Sequence, residues 1–387
     1  MSNRILRNLI YADVIADYRG VLSSPGAILL EGDMIIETGS PQSIGHIEGV
    51  ELTKVNGLVT PSFVNAHSHL DLSGVGNVPF DNTFVEWLVN VIKPIRSDTT
   101  RIEEDVNKGI MLSLAGGCRV LGDIAGTIQA AEIVDDSELI AVSFVELIGD
   151  GERTDEAIEK LFEIPEKFNV TPHAPYSCGK RVYEACFESG KKISTHLSET
   201  LEEIEFALSR SGEFEKVIRK LGAWDDKIKP LGKHPIDAIL EIAGDSNFVS
   251  AHLNYIDDRH LEMIASSNMS VVYCPRASEY FGHKNHRYLE MLAYGINVAV
   301  GTDSLICIDT TDHLSVLDEI RLMYSRDEVE PSLLFKMATV NGATALGLES
   351  TLVTLNKGKN AGLLKFEGLD NNTLSDLMES NLAPSWV

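Results

Sequence analysis

The stretch Gly57-Leu58-Val59-Thr60-Pro61-Ser62-Phe63-Val64-Asn65-Ala66-His67-Ser68-His69-Leu70 decides the fold. An apolar run ends in two histidines two positions apart. Strand side chains alternate with period two, so a strand here presents both imidazoles on one side. Two imidazoles on one face are half of a metal site. A His-x-His triplet also arises by chance, so the reading turns on whether other strand ends supply further donors.

Downstream the pattern alternates. Strand-like runs occupy 57–64, 118–123, 139–147, 168–173, 192–196, 247–252, 269–274 and 296–303. Helical periodicity lies between them, as at 83–95, 101–115, 154–167, 179–189, 257–267 and 285–294. Strands alternating with helices predict a parallel sheet, and eight repeats predict an α/β fold of the (β/α)8 TIM-barrel type. The flanks differ. Residues 27–39 read as a hairpin turning at Gly32-Asp33, and 354–366 as turns followed by a strand. These ends predict a small β-sandwich domain composed of 1–56 plus 350–387, beside a barrel at 57–349.

In such a barrel the C-terminal strand ends converge on one mouth, where catalytic groups sit. His67 and His69 end strand one, His173 strand four, His196 strand five, His252 strand six and Asp303 strand eight. Each alone has a plain structural account: a hydrogen-bonded core histidine, or an aspartate capping a helix. But five of the 11 histidines fall on one rim, which predicts a joint metal site. Imidazoles and a carboxylate around a divalent ion leave room for a water whose pKa the ion lowers. Asp303 is placed to touch the ion and to take the water's proton. His252 either ligates or hydrogen-bonds the water. Glu199, three residues past His196, can move a proton onto a substrate nitrogen; its alternative is a first-turn helix charge. His234, His260, His283, His286 and His313 lie in helical or loop stretches and read as ordinary residues.

The bulk numbers narrow the class. The 387 residues are 44% hydrophobic and 24% charged, as in globular proteins, with a formal net charge of -25. That charge argues against a nucleic-acid binder. No apolar run reaches the ~18 residues that span a bilayer, and no secretory core follows the N-terminus, so no membrane partner is expected. Five widely spaced cysteines, with no Cys-x-x-Cys pair, predict free thiols and a cytoplasmic location.

The set Asn65-Ala66-His67-Ser68-His69-Leu70, Pro172-His173-Ala174-Pro175-Tyr176-Ser177, His196-Leu197-Ser198-Glu199-Thr200, Ala251-His252, Cys274-Pro275-Arg276-Ala277 and Gly301-Thr302-Asp303-Ser304 resembles the amidohydrolase superfamily. Within it the chain is similar to the deaminases of adenosine-like compounds, guanine and aminodeoxyfutalosine; Trp87-Leu88 followed by Pro94 belongs to the same resemblance. The resemblance implies one divalent ion, zinc or iron, on His67, His69, His196 and Asp303. It implies that His252 orients water or substrate, that Glu199 protonates the ring nitrogen and that His173 contacts substrate. No lysine ends strand four, which favours one metal over the bridged pair of the amide hydrolases.

Relatives tend to carry a ribose-binding glutamate just after that proline, where this chain has Pro94-Ile95-Arg96. An arginine suits an anionic substrate group, such as a carboxylate, or is a solvated helix-end cation. Trp87, Arg276, Glu279 and Tyr280 are candidate substrate contacts or ordinary loop residues. The expected activity is hydrolytic deamination of an amino-substituted N-heterocycle, a purine nucleoside-like compound such as aminodeoxyfutalosine or an adenosine derivative, so the partners are a small molecule and water. Asp303 takes the water's proton, Glu199 protonates the ring, and ammonia leaves. The alternatives are opening of a cyclic amide, as in imidazolonepropionase-like relatives, displacement on a triazine, or a non-catalytic metal-binding barrel. Relatives are often dimers or larger assemblies, which makes a homodimer one expected state.

Overall fold

The computed structural model describes residues 7–222 and 224–387. Eight parallel strands form one sheet: Phe63–Ser68, Cys118–Ala125, Ile140–Leu147, Asn169–Pro172, Ile193–Leu197, Phe248–His252, Met269–Tyr273 and Val298–Val300. Each pairs with the next in chain order. Every residue of Ile193–Leu197 and Phe248–His252 is buried, as expected of strands with helices outside and a filled barrel within.

The ring closes beside the histidine pair. Ser68 and Asp303 form a parallel bridge, and the Asp303 amide donates to the His67 carbonyl at 3.0 Å. Asn65 ties the same two strands: its Oδ1 accepts the Thr302 amide at 3.0 Å and its Nδ2 donates to Thr302 Oγ1 at 2.7 Å. Gly301 allows the approach, since a Cβ there would lie 2.8 Å from His67 Cβ and 2.9 Å from its nitrogen.

The chain ends build a second, mixed eight-stranded sheet, including Arg7–Asp17, Gly26–Glu31, Met34–Gly39, Glu51–Pro61 and Leu363–Glu367. Alternate residues of its strands enter two separate apolar clusters. Leu9, Ala27 and Leu29 pack on one face; Ile10, Ala12, Ile28 and Val59 pack on the other. This is the period-two pattern of a sheet buried on both sides.

One expectation is corrected. The apolar run 57–64 is not a single barrel strand. Gly57–Pro61 pairs antiparallel with Leu363–Glu367 in the terminal sheet, and the barrel strand starts at Phe63. Proline cannot donate to a ladder, and Ser62, whose amide bonds to Gly362, carries the chain between the sheets. Hydropathy is uniform across the junction, so only the break at Pro61-Ser62 marked it. No helix among the described residues is long and apolar enough to cross a membrane.

Candidate active site

Six side chains from four strand ends meet at the barrel mouth. Ligand atoms of His67, His69 and His196 lie within 4.8 Å of one another, and so do those of Glu199, His252 and Asp303. The two groups touch: His69 Nε2 is 3.5 Å from Asp303 Oδ1, and the His67 and His252 rings are 5.6 Å apart. All six are buried. The backbone here is strained, with φ of 51° at Ser198, 75° at His252, 54° at Leu253 and 60° at Asp303. Left-handed conformations at bulky residues persist only where the surroundings enforce them, and they concentrate at functional sites.

The donor set fits a metal ion. Both ring nitrogens of His67 and the Nε2 of His252 are buried without a hydrogen-bond partner among the described residues. Buried polar atoms in folded proteins are otherwise nearly always paired. Burial first, then neighbouring histidines, push His67, His69 and His252 well below the usual value, and His196 down to about 3, which favours the neutral rings. Neutral rings carry the lone pairs a metal needs. His196 is also oriented. Its Nδ1 lies 2.9 Å from the His173 carbonyl, which only accepts, so Nδ1 carries the proton and Nε2 faces the cluster.

The two carboxyl groups differ. Burial raises Asp303 to about 6, opposed by the Ser304 amide that donates to it at 2.7 Å. Burial, then Asp303 and Glu203, hold Glu199 well above the usual carboxylate range. Glu199 Oε1 lies 3.7 Å from His252 Nε2. Its main chain is clamped from both sides. Glu203 Oε1 accepts the Ser198 amide and Oε2 the Glu199 amide, both at 2.8 Å. Asn254 Nδ2 donates to the Glu199 carbonyl at 3.0 Å, and Ser278 Oγ donates to Asn254 Oδ1 at 3.0 Å.

The expected substrate contacts divide. His173 stands at the mouth, its ring 4.9 Å from His196 and its Nδ1 2.7 Å from Ser177 Oγ. Trp87 Nε1 donates to Tyr280 Oη at 3.0 Å, and the Trp87 ring packs edge-on against Phe281 at 4.9 Å. Phe84 joins Phe281 at 5.2 Å and Tyr176 at 6.1 Å, and Tyr176 reaches His173 at 5.4 Å. These rings make an aromatic wall from Trp87 to His173. Three other residues are committed elsewhere. Arg96 binds Asp71, with its Nη2 3.2 Å from His69 Nδ1 and 3.9 Å from Glu146. Arg96 is therefore neither a free counter-ion for an anion nor a solvated cation. Arg276 donates to Glu319 through Nε at 2.7 Å and its amide at 2.8 Å. Glu279 is exposed and accepts from Arg326 at 3.1 Å.

Sequence reasoning missed Glu203, Asn254, Glu146 and the rings of Phe84, Tyr176 and Phe281. Only Glu203 carried a signal. Thr200-Leu201-Glu202-Glu203 has the spacing of a helix-capping box, and Thr200 Oγ1 does accept the Glu203 amide at 3.1 Å. The Glu203 carboxylate reaches past the cap residue to Ser198 and Glu199 instead.

The amidohydrolase family model matches residues 58–384. A 5-methylthioadenosine/S-adenosylhomocysteine deaminase of Pyrococcus abyssi is 29% identical over 357 residues, spanning 84% of this chain and 77% of that protein. Its counterpart in Thermoanaerobacter pseudethanolicus is 27% identical over 369 residues, 87% of this chain and 79% of the relative. Among solved structures, aminofutalosine deaminase of Helicobacter pylori in complex with methylthio-coformycin superposes with a TM-score of 0.82 at 21% identity, covering 97% of each chain. A zinc-bound adenosine deaminase from Xanthomonas campestris gives 0.76 at 18% identity, covering 98% of this chain and 90% of that one.

Proposed function

The chain belongs to the amidohydrolase family, and from that premise we propose a metal-dependent hydrolytic deaminase of an amino-substituted N-heterocycle carried on a nucleoside-like compound. The observation that carries this is Glu199, buried beside the donor cluster with its main chain held by Glu203 and Asn254. The deaminases among the sequence relatives support the same reaction class.

His67, His69, His196 and Asp303 would hold one divalent ion, zinc or iron. When bound, the ion supplies a water of lowered pKa at the mouth. The chain's residues do the rest. Asp303 takes the water's proton. Glu199 hands a proton to the ring nitrogen next to the amine-bearing carbon, the geometry of general acid catalysis. His252, 3.7 Å from Glu199, orients water and ring by hydrogen bonding. The aromatic wall and His173 stack and orient the heterocycle. The water's oxygen bonds the amine-bearing carbon, the proton held by Asp303 passes to the departing amine, the C–N bond breaks to release ammonia, and the new hydroxyl returns a proton to Glu199 as the carbonyl forms. We place the protein in the cytoplasm, in keeping with its five buried, unpaired cysteines. The terminal sheet we assign to a separate small domain.

The test is an ammonia-release screen of the metal-loaded protein over adenine nucleosides, aminodeoxyfutalosine, guanine, cytosine and amino-triazines. Ammonia without ring opening supports deamination. A ring-opened product, or chloride release from a chlorotriazine with no ammonia from any aminopurine, would overturn it.

A further inference from the structure

Strand six, Phe248–His252, ends in a peptide group that is held from both sides. Its N–H, on Leu253, donates to the carbonyl of Leu197 at the end of strand five, at 3.0 Å. Its carbonyl, on His252, accepts from His286 Nε2 at 2.7 Å. The residues flanking the group are both left-handed, with φ of 75° at His252 and 54° at Leu253. Two such residues in a row, neither of them glycine, need an outside hold. The His252 ring takes its aim from this backbone. Its Nε2 lies 3.7 Å from Glu199 Oε1 and is buried with no hydrogen-bond partner among the described residues.

His286 reads as an ordinary residue in the sequence, and a packing role would suit any flat ring. The ring does lie flat on Tyr273, with 3.9 Å between centroids and 18° between planes. Tyr273, the last residue of strand seven, is itself fixed, since Arg326 Nη2 donates to its Oη at 3.2 Å. Tyr288 stacks on Tyr273 at 5.4 Å and donates to Asp327 Oδ2 at 2.7 Å. The chain delivers His286 through Asn285 at φ 61°, a conformation that asparagine tolerates. Phenylalanine would stack here as well and bring no polar atom. The His252 carbonyl only accepts, so Nε2 carries the His286 ring proton and Nδ1 a lone pair. That Nδ1 is buried with no partner among the described residues. An unpaired buried nitrogen is unfavourable, so packing does not account for a histidine. The bond from Nε2 to His252 does.

We infer that His286 is a positioning residue: by holding the His252 peptide group it sets the aim of the His252 ring at Glu199. This deepens the deaminase reading and rests on it for the role of His252.

The experiment separates geometry from turnover. Zinc-loaded protein with 15N-labelled histidine rings is compared with its variants by NMR and by ammonia release from adenosine. His286→Phe keeps a flat ring on Tyr273 and removes the donor. His286→Leu removes both and serves as the second variant. His286→Gln keeps an N–H near the place of Nε2 and removes the ring. In His286→Phe and His286→Leu the His252 ring resonances should move, while those of His67, His69 and His196 hold. Their kcat should fall about 10- to 100-fold with KM within about threefold, the mark of a misplaced reacting group. His286→Gln should restore the His252 resonances and most of kcat. A packing role predicts the reverse order, with His286→Phe near wild type and His286→Gln impaired, and that result would overturn the inference. So would His252 resonances that stay in place in both His286→Phe and His286→Leu. If the wild type releases ammonia from no aminopurine, the deaminase reading is what fails, and the His252 resonances still decide the positioning.

Discussion

Glu203 holds Glu199 by the main chain: its two carboxylate oxygens accept the amides of Ser198 and Glu199 at 2.8 Å each. Glu203 is fully buried and touches none of the metal-ligand candidates through these bonds. It acts on the site through Glu199. A glutamine at 203 supplies one acceptor and sets an N–H donor against an N–H donor at the other. Glu203→Gln should lower kcat by roughly 10- to 100-fold, the cost of a small misplacement of a reacting group. KM and bound metal should stay near wild type, and Glu203→Asp should recover little because it is too short. A kcat equal to wild type would remove Glu203 from the positioning role.

Glu199 itself carries the proton step proposed above. Glu199→Gln keeps size and burial but cannot transfer a proton. Turnover should fall about 10²- to 10⁴-fold, the usual contribution of a general acid. Metal content by elemental analysis should be unchanged, since the imidazole cluster is intact. Full activity in this variant would sink the assignment.

His196 is fixed by its Nδ1–H bond to the His173 carbonyl at 2.9 Å, which leaves Nε2 for an ion. Zinc added to the metal-depleted wild type should raise Tm, because a ligand that binds only the native state stabilises it by mass action. At a thousandfold excess over Kd the gain is about 4 kcal/mol. His196→Ala should lose most of that shift and most of the bound metal. An undiminished shift in His196→Ala would show that the ion sits elsewhere.

The fold was legible because it is written in period and spacing. Alternating strand and helix texture marked the barrel, and polar residues at strand ends marked the candidate donors His67, His69, His196, His252 and Asp303. Topology alone brings those ends together. What a linear reading lacks is side-chain direction. Arg96, Arg276 and Glu279 had suitable chemistry in suitable loops, but Asp71, Glu319 and Arg326 compete for them across 25, 43 and 47 positions. Nothing in a linear reading reports such a competition. Asn65 is the converse case. It sits inside the quoted motif, yet its work, bridging to Thr302 to close the barrel, depends on a partner 237 residues away. The strand junction at Pro61-Ser62 was hidden because both sheets want the same apolar residues.

Arg276 shows what its commitment to Glu319 is worth. The Glu319 side chain is fully buried and that of Arg276 12% exposed. Removing one partner of a buried pair leaves an uncompensated charge. Arg276→Ala should destabilise the fold by about 3–5 kcal/mol, measured by denaturant unfolding. Restoring neutrality with Arg276→Met plus Glu319→Leu should recover much of it. A single variant as stable as wild type would mean that the pair is solvated.

His313 gives a pH signature away from the metal cluster. Its Nε2 meets Asp318 Oδ2 at 2.6 Å and its Nδ1 meets Asp312 Oδ1 at 2.8 Å. The hydrogen bond to Asp318 raises its pKa above the usual value, burial opposing and Asp312 assisting. Asp318 is also faced by Arg276 at 3.8 Å and Arg321 at 3.4 Å, which limits the effect without reversing it. A group with a raised folded pKa binds its proton more tightly when folded. Its stabilisation is therefore complete below the unfolded imidazole value of about 6.5 and is lost as pH rises through the higher folded value. The Tm difference between wild type and His313→Gln should thus be largest in mild acid and should shrink as pH rises through that window. A gap that widens with pH would reverse the sign and show that the ring is neutral throughout.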